Sequence, residues 1–543
     1  MEPNRTDADL RFAYWRKTLP KILPDFLRNQ RWFGGKADVI QSVEISDILP
    51  LQVGDSTADL CFLRVAYFSS HAQEYALPLK LASAGETKLP EGISGSMAEP
   101  ENTSMSLRDA MQERDFQVFL LESIRHQAVF RGEAGSATAF STPALDRLAG
   151  ASEDGGLEPS LMRVEQSNTS VRYGGRLILK FFRRLEKGVN LDLEIGNFLA
   201  EKAQFKNTPP LAGAIEYRRS GQPPITLAIL QGFVPNQGDA WRHTLDSLDE
   251  YLTRVRAVNQ RPRGASVAEN VFSGGSEQRV PDLLQELAGA SLGDAKLLGR
   301  RTAELHLALS SDTSDPDFAP EPFTQDYQRR LADSMTRFAN SGIQLLRDRA
   351  ALLSPETQNA AQQILAAEDS ILSRFRGIGE AQLTICRTRL HGDFHLGQAL
   401  YTGTDFVIID FEGEPERPLA ERRLKRSPLR DVAGMLRSFH YAALTALYSQ
   451  RDKARAAGED LESLDLPAWI RQWKQSVSVA FLDAYIHVAE GACFLPRSRE
   501  ELKFLLEVYL LEKAIYELIY ELKNRPDWVA IPLEGILELL HSD

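Results

Sequence analysis

Cysteine is scarce in this 543-residue chain: Cys61, Cys386 and Cys493 lie far apart and in no C-x-x-C pattern. An odd, dispersed set argues against a disulfide framework or a thiolate metal centre and reads as free thiols in a reducing compartment. No apolar run approaches the roughly 18 residues of a membrane span. The opening stretch MEPNRTDADLRFAYWRKTLPK carries charges throughout, where a secretion signal would be apolar. These absences lead to the expectation of a cytoplasmic protein with no membrane partner. Positive charge is in deficit too: 63 Lys and Arg against 75 Asp and Glu give a formal net charge of −12. Such a surface repels nucleic-acid phosphates, so a nucleic-acid partner is not expected. Internal repeats with periods of roughly 20–50 residues are also missing.

What is present is an ordinary globular composition, 43% hydrophobic and 25% charged, in a chain too long for one compact core. Residues 1–140 contain segments of period two, Asp59–Phe68 and Glu74–Ala82, which predict strands; 89–106 is rich in Gly, Ser and Pro and predicts a loop. A turn-rich connector covers 141–160. Leu161–Leu185 reads as a hairpin turning at Gly174-Gly175, and Asn190–Ala203 as a helix capped by Asn190. Pro224–Trp241 is an apolar strand running into a polar turn. Beyond residue 242 helical periodicity dominates, as in Leu297–Leu309, Arg329–Leu346 and Glu501–Leu522, broken at 261–282 by a stretch that reads as a mobile insertion. The expected division is 1–140, 141–235 and 236–543.

The chemistry-bearing stretch is HGDFHLGQALYTGTDFVIIDFEG, His391–Gly413. Phosphoryl transfer from ATP needs a carboxylate near the attacking hydroxyl, oxygen ligands for Mg²⁺, and a Lys on the phosphates. Asp393 in a His-flanked turn, Gln398 five residues on, and Asp410 after the apolar strand FVII follow the spacing H-x-D-x-x-x-x-N then D-F-G of kinases. Asp393 is thus the candidate for the hydroxyl, and Gln398 and Asp410 for the metal. Upstream, Lys180 ends the strand RLILK, and Glu194 lies on the following helix, where it could turn back to pair with it. A Gly-rich phosphate loop is missing; Ser167, Asn168, Thr169 and Ser170 offer hydroxyls and backbone amides in its place. His391 reads as a support for the loop backbone rather than as half of a metal pair with His395, since Mg²⁺ prefers oxygen.

With these residues in view, the chain resembles the bacterial maltokinases, which also occur as the C-terminal half of trehalose synthase–maltokinase fusions. The resemblance rests on HGDFHLGQ and on DFEGEPERPLAERRLKRSPLRDVAGMLRS. It extends to LRNQRWFGGKA, VEQSNTS, RLILKFFRRLE, LQGFVPNQGDAW, GRRTAELHLAL and LEKAIYELIYELKNRPDWVAIPLEGI. The loop near 83–106 and the insertion at 261–282 depart from the family pattern in length. The resemblance implies an α+β, bilobal, protein-kinase-like (aminoglycoside phosphotransferase-like) fold. A β-rich cap at 1–140 would precede a nucleotide-binding lobe at 141–235 and a mostly helical lobe at 236–543. It implies that ATP and maltose give ADP and maltose 1-phosphate, feeding α-glucan synthesis, with Mg²⁺ as cofactor. By the same carry-over Asp393 is the catalytic base, Gln398 and Asp410 hold the metal, Lys180 contacts the ATP phosphates, and Gln231, Phe233 and Val234 form the adenine hinge.

A disaccharide offers hydroxyls and apolar ring faces, so its site wants carboxylates, amides and aromatic rings. Lys513, Tyr516, Glu517, Tyr520 and Glu521 share one helix face and are the candidate sugar ligands. The plain alternative is an exposed helix carrying a Lys513–Glu517 pair. The basic run Arg417, Arg422, Arg423, Lys425, Arg426 and Arg430 reads by default as a solvated loop, with phosphate or product holding as the alternative. Asp431 opens the next helix, as its cap or as a brace for the catalytic loop. Rival readings are the same chemistry on another sugar such as glucosamine, and a kinase-like module that binds without turnover. In a third, residues 1–140 dock onto a trehalose-converting enzyme such as trehalose synthase.

Overall fold

The computed structural model describes residues 7–68, 71–83, 96–98, 104–150, 156–162, 168–258, 282–415, 417–458 and 464–541. The chain divides into two compact units: Met1–Ala200 with Pro209–Pro235, and Glu201–Thr208 with Asn236–Asp543. The expected insertion over 261–282 lies outside the described residues except for Asp282.

In the first unit, period-two sequence builds two antiparallel sheets. One runs in the spatial order Ile40–Val53, Ser56–Tyr67, Gln73–Ser83, Ser104–Asp109, Ser96–Ala98, with Arg184–Leu185 added beside Gln73–Ser83. The other runs Val129–Arg131, Gly135–Ser141, Leu211–Arg219, Ile225–Gly232, Leu177–Phe182, Asn168–Tyr173, Pro159–Leu161. Strand Ser56–Tyr67 shows why both of its faces are apolar. Leu60 and Phe62 join a core with Leu179 and Leu227 of the second sheet. Cys61, Leu63 and Val65, on the alternate face, pack with Trp15, Leu19, Leu23 and Leu27. Those four residues recur every fourth position along helix Asp7–Arg28. The sequence reading gave no helix there, and the helix forms although it contains Pro20 and Pro24. The expected loop over 89–106 also contains strand Ser96–Ala98, paired with Ser104–Asp109. Arg183, 0% exposed, donates to Asp109 at 2.5 Å and to Thr169 Oγ1 at 2.7 Å.

The second unit is helical, with long elements Ala240–Val258, Asp282–Leu309, Gln325–Arg349, Leu429–Ala457, Leu466–Val488 and Arg499–Asn524. Leu429–Ala457 buries Val432, Met435, Phe439 and Leu444 on several sides, as a central helix must. Two small two-stranded antiparallel sheets interrupt the helices: Glu321–Pro322 pairs with the distant Cys386–Arg387, and Ala399–Tyr401 forms a hairpin with Phe406–Ile408. Among the described residues no helix is long and apolar enough to cross a membrane.

Candidate active site

Asp393 sits in an irregular turn between Cys386–Arg387 and the 3-10 turn Leu396–Gln398. No strand ladder satisfies such a backbone, so side chains must do it. Asp431, in the first turn of Leu429–Ala457, accepts the His391 amide at 2.7 Å and the Gly392 amide at 2.9 Å. His306 Nε2 lies 3.1 Å from the same carboxylate, and its Nδ1 lies 2.9 Å from the Tyr485 hydroxyl. A carboxylate only accepts, so Nε2 carries the proton and Nδ1 accepts from the Tyr485 O–H. Burial alone would raise the Asp431 acid; the bond from His306, with the Gly392 amide, outweighs it and holds it below the usual range. The His391 ring donates from Nε2 to the Ile409 carbonyl at 2.9 Å, between the rings of Phe394 and Phe411. Gly392 has φ 92°, and a Cβ on Gly434 would meet the Phe394 carbonyl at 2.5 Å, so both glycines are sterically required here.

Asp410 follows the strand Phe406–Ile408 and has φ 68°, a conformation costing a non-glycine residue about 1 kcal/mol. The Ile409 amide bonded to the Gln398 carbonyl at 3.0 Å holds it there. Gln398 Nε2 donates to Asp410 Oδ2 at 3.2 Å, so the two residues singled out for metal are adjacent. Their oxygens are the donor type Mg²⁺ takes, provided the amide turns its nitrogen away.

Asp393 Oδ1 accepts from Lys513 Nζ at 3.0 Å, and the same ammonium reaches Glu414 Oε1 at 3.2 Å. Burial would lower the Lys513 pKa, but the two carboxylates raise it. Glu414 is 4% exposed; burial pushes its acid up, but Lys513, Arg430 and Arg417 bring it down to about 2. Asp393, Glu414, Arg417, Arg430, Glu512 and Lys513 line an open pocket with Tyr509 and Tyr516. The basic run is therefore not a solvated loop. Arg430 donates to both oxygens of Glu512 at 2.9 Å, and Lys425, 7% exposed, donates to the carbonyls of Pro316 and Ala319. Glu414 and Glu512 were missed by sequence reading; the basic run around them was the only signal.

The other sugar candidates sit on helix Arg499–Asn524 as the spacing predicts. The Lys513–Glu517 pair of the plain alternative gives way to other partners. Lys513 lies over the Tyr516 ring at 4.5 Å, and Glu517 takes Arg437 at 2.6 and 2.9 Å. Glu521, 1% exposed, accepts from Arg525 and from the Tyr441 hydroxyl, so it is a buried structural carboxylate rather than an open ligand. Tyr520 lies beneath Arg525, 5.1 Å from its guanidinium.

In the first unit Lys180 lies on Leu177–Phe182, with Nζ 4.0 Å from Asp192, a helix carboxylate that sequence reading did not name. Glu194 lies on the same helix, Leu191–Glu201, half-buried, and Asn190 caps it through the Leu193 amide at 3.0 Å. Gln231 pairs with Ile178 and Leu211 in the sheet; Phe233 donates its amide to Arg176 at 2.8 Å, and Val234 follows half-buried. The phosphate-holding hydroxyls expected at 167–170 are corrected at Thr169 and Ser170. Ser167 lies outside the described residues, and Asn168 begins a strand. The Thr169 hydroxyl is taken by Arg183, and Ser170 is 0% exposed, so both hydroxyls face the interior because both faces of that strand are covered.

An α+β fold with Asp393 in a braced turn and Asp410 after a short hairpin defines a kinase-like protein. Residues 26–113 match the maltokinase N-terminal cap domain, which bears out the resemblance noted from the sequence. The chain is 23% identical over 383 residues to a glucosamine kinase of Mycolicibacterium smegmatis, covering 69% of this chain and 78% of that one. It is 22% identical over 383 residues to a glucosamine kinase of Streptacidiphilus jiangxiensis, covering 69% and 72%. A glucosamine kinase crystal structure superposes with TM-score 0.61 at 18% identity, covering 97% of this chain and 99% of that one. Another, in complex with glucosamine, ADP and inorganic phosphate, superposes with TM-score 0.59 at 17% identity, covering 99% and 100%. At such identity these structures establish the shared α+β kinase-like fold.

Proposed function

We propose that this protein is an ATP-dependent sugar kinase whose acceptor is maltose, phosphorylated at its anomeric hydroxyl to maltose 1-phosphate. The observation that carries the acceptor is the charge balance beside Asp393. Asp393 and Glu414 share Lys513, Glu414 also takes Arg417, and Glu512 takes Arg430. Each of these carboxylates has a cation, so none is left for the ammonium of an amino sugar, whose burial unpaired would be costly. A neutral saccharide fits such a pocket, with the Tyr516 ring as a surface for a sugar face.

Asp393 is the group that takes the hydroxyl proton, and Lys513, donating to it at 3.0 Å, fixes its position. Lys180 is proposed for the ATP phosphates, and the backbone around Gln231, Phe233 and Val234 for adenine. Mg²⁺ held by Asp410 and Gln398 would neutralise phosphate charge. A trehalose-converting enzyme as the source of maltose, and α-glucan synthesis as the destination, follow from the family resemblance alone.

Glucosamine is the second reading, favoured by the names of the relatives above. Phosphorus NMR of purified protein with ATP and either maltose or glucosamine separates them. Maltose-dependent appearance of an anomeric phosphate is expected; phosphorylation of glucosamine alone would overturn the acceptor.

A further inference from the structure

The three cysteines looked unrelated in sequence, but the fold brings two of them together. The Cys386 amide donates to the Cys493 carbonyl at 2.8 Å. This direct backbone bond places the two residues side by side, which is the approach a disulfide requires. The Cys386 thiol is close enough to Cys493 to raise the pKa of its thiol. Cys493 is exposed and Cys386 half-buried, whereas Cys61 is buried in the first unit. Cys386 lies on the strand that leads into His391 and Asp393. Cys493 precedes Phe494, which packs on His306 with ring centroids 6.1 Å apart.

We propose that Cys386 and Cys493 form a reversible dithiol–disulfide site, oxidised by a low-molecular-weight disulfide. The exposed Cys493 loses its proton and attacks one sulfur of the reagent, forming a mixed disulfide and expelling the first thiolate. Cys386 then loses its proton and attacks Cys493 Sγ, closing the internal disulfide and expelling the second thiolate. The two protons end on the two released thiols, so electrons and atoms balance. Burial first, then the neighbouring thiol, pushes the Cys493 thiol up to about 12, so the reaction is slow at neutral pH and quickens as pH rises.

The test incubates the full-length protein with oxidised glutathione at pH 8.5, then counts thiols in denaturant and maps peptides without reductant. The expected result is a fall from three free thiols to one, a crosslink between the peptides carrying 386 and 493, and full reversal by dithiothreitol. Cys493→Ser should give no crosslink. Three thiols persisting, or glutathione remaining on Cys493 with Cys386 free, would overturn the proposal.

Discussion

At the scale of single residues, Asp393 and Glu414 make separable predictions. Asp393→Asn keeps the shape and removes the proton acceptor. Turnover should fall roughly 10²- to 10⁴-fold while the melting temperature stays within a few degrees; near-normal turnover would exclude Asp393 as the base. Glu414 is read by acid titration. Its folded pKa of about 2 lies below the unfolded value of 4.5, so its contribution is complete above about pH 4.5 and is lost as pH falls toward 2. The difference corresponds to something on the order of 3 kcal/mol. Glu414→Gln should therefore be less stable at pH 7 and show a flatter stability profile between pH 4.5 and 2, measured by urea unfolding. An unchanged slope would mean that the cluster around Lys513 does not hold that carboxylate ionised. The sequence made Asp393, Gln398 and Asp410 visible because their spacing is local. Glu414 was invisible because Lys513, the cation it shares with Asp393, comes from far along the chain.

At the scale of elements, three helices converge on the turn that carries Asp393. Tyr485, His306 and Asp431 come from Leu466–Val488, Asp282–Leu309 and Leu429–Ala457, and end on the His391 and Gly392 amides. Tyr485→Phe leaves His306 Nδ1 buried without its donor, at a cost of roughly 1–3 kcal/mol. The melting temperature should drop. If the chain of bonds orients the turn, kcat should fall several-fold, well below the melting range, with little change in the KM for ATP. Unchanged kcat would reduce the network to packing. These helices were legible from their 3.6-residue periodicity, although Asp282–Leu309 begins well before the predicted Leu297. Their convergence was not legible, since periodicity gives a buried face and not the residue it meets.

At the scale of the whole molecule, the match to a cap domain at 26–113 does not make that segment a detachable module. Leu60 and Phe62 share a core with Leu179 and Leu227 of the second sheet, and Arg183 is buried against Asp109. A chain lacking residues 1–113 would expose that apolar sheet face and leave the Arg183 charge unpaired, so it should be recovered mainly as aggregate. A soluble monomer by size-exclusion chromatography, with native circular dichroism, would show instead that the cap folds apart from the rest.

Sequence alone determined the β-rich first part and the helical second part, the net negative charge, and the nearness of Gln398 to Asp410. It could do so because backbone periodicity and turn chemistry act over a few residues. The tertiary structure alone decided that Lys513 meets Asp393 across 120 residues, that the basic run turns inward, that Thr169 and Ser170 face the interior, and that Cys386 meets Cys493. Burial and charge pairing depend on which surfaces pack together, and that is a property of the folded chain rather than of any short stretch of it.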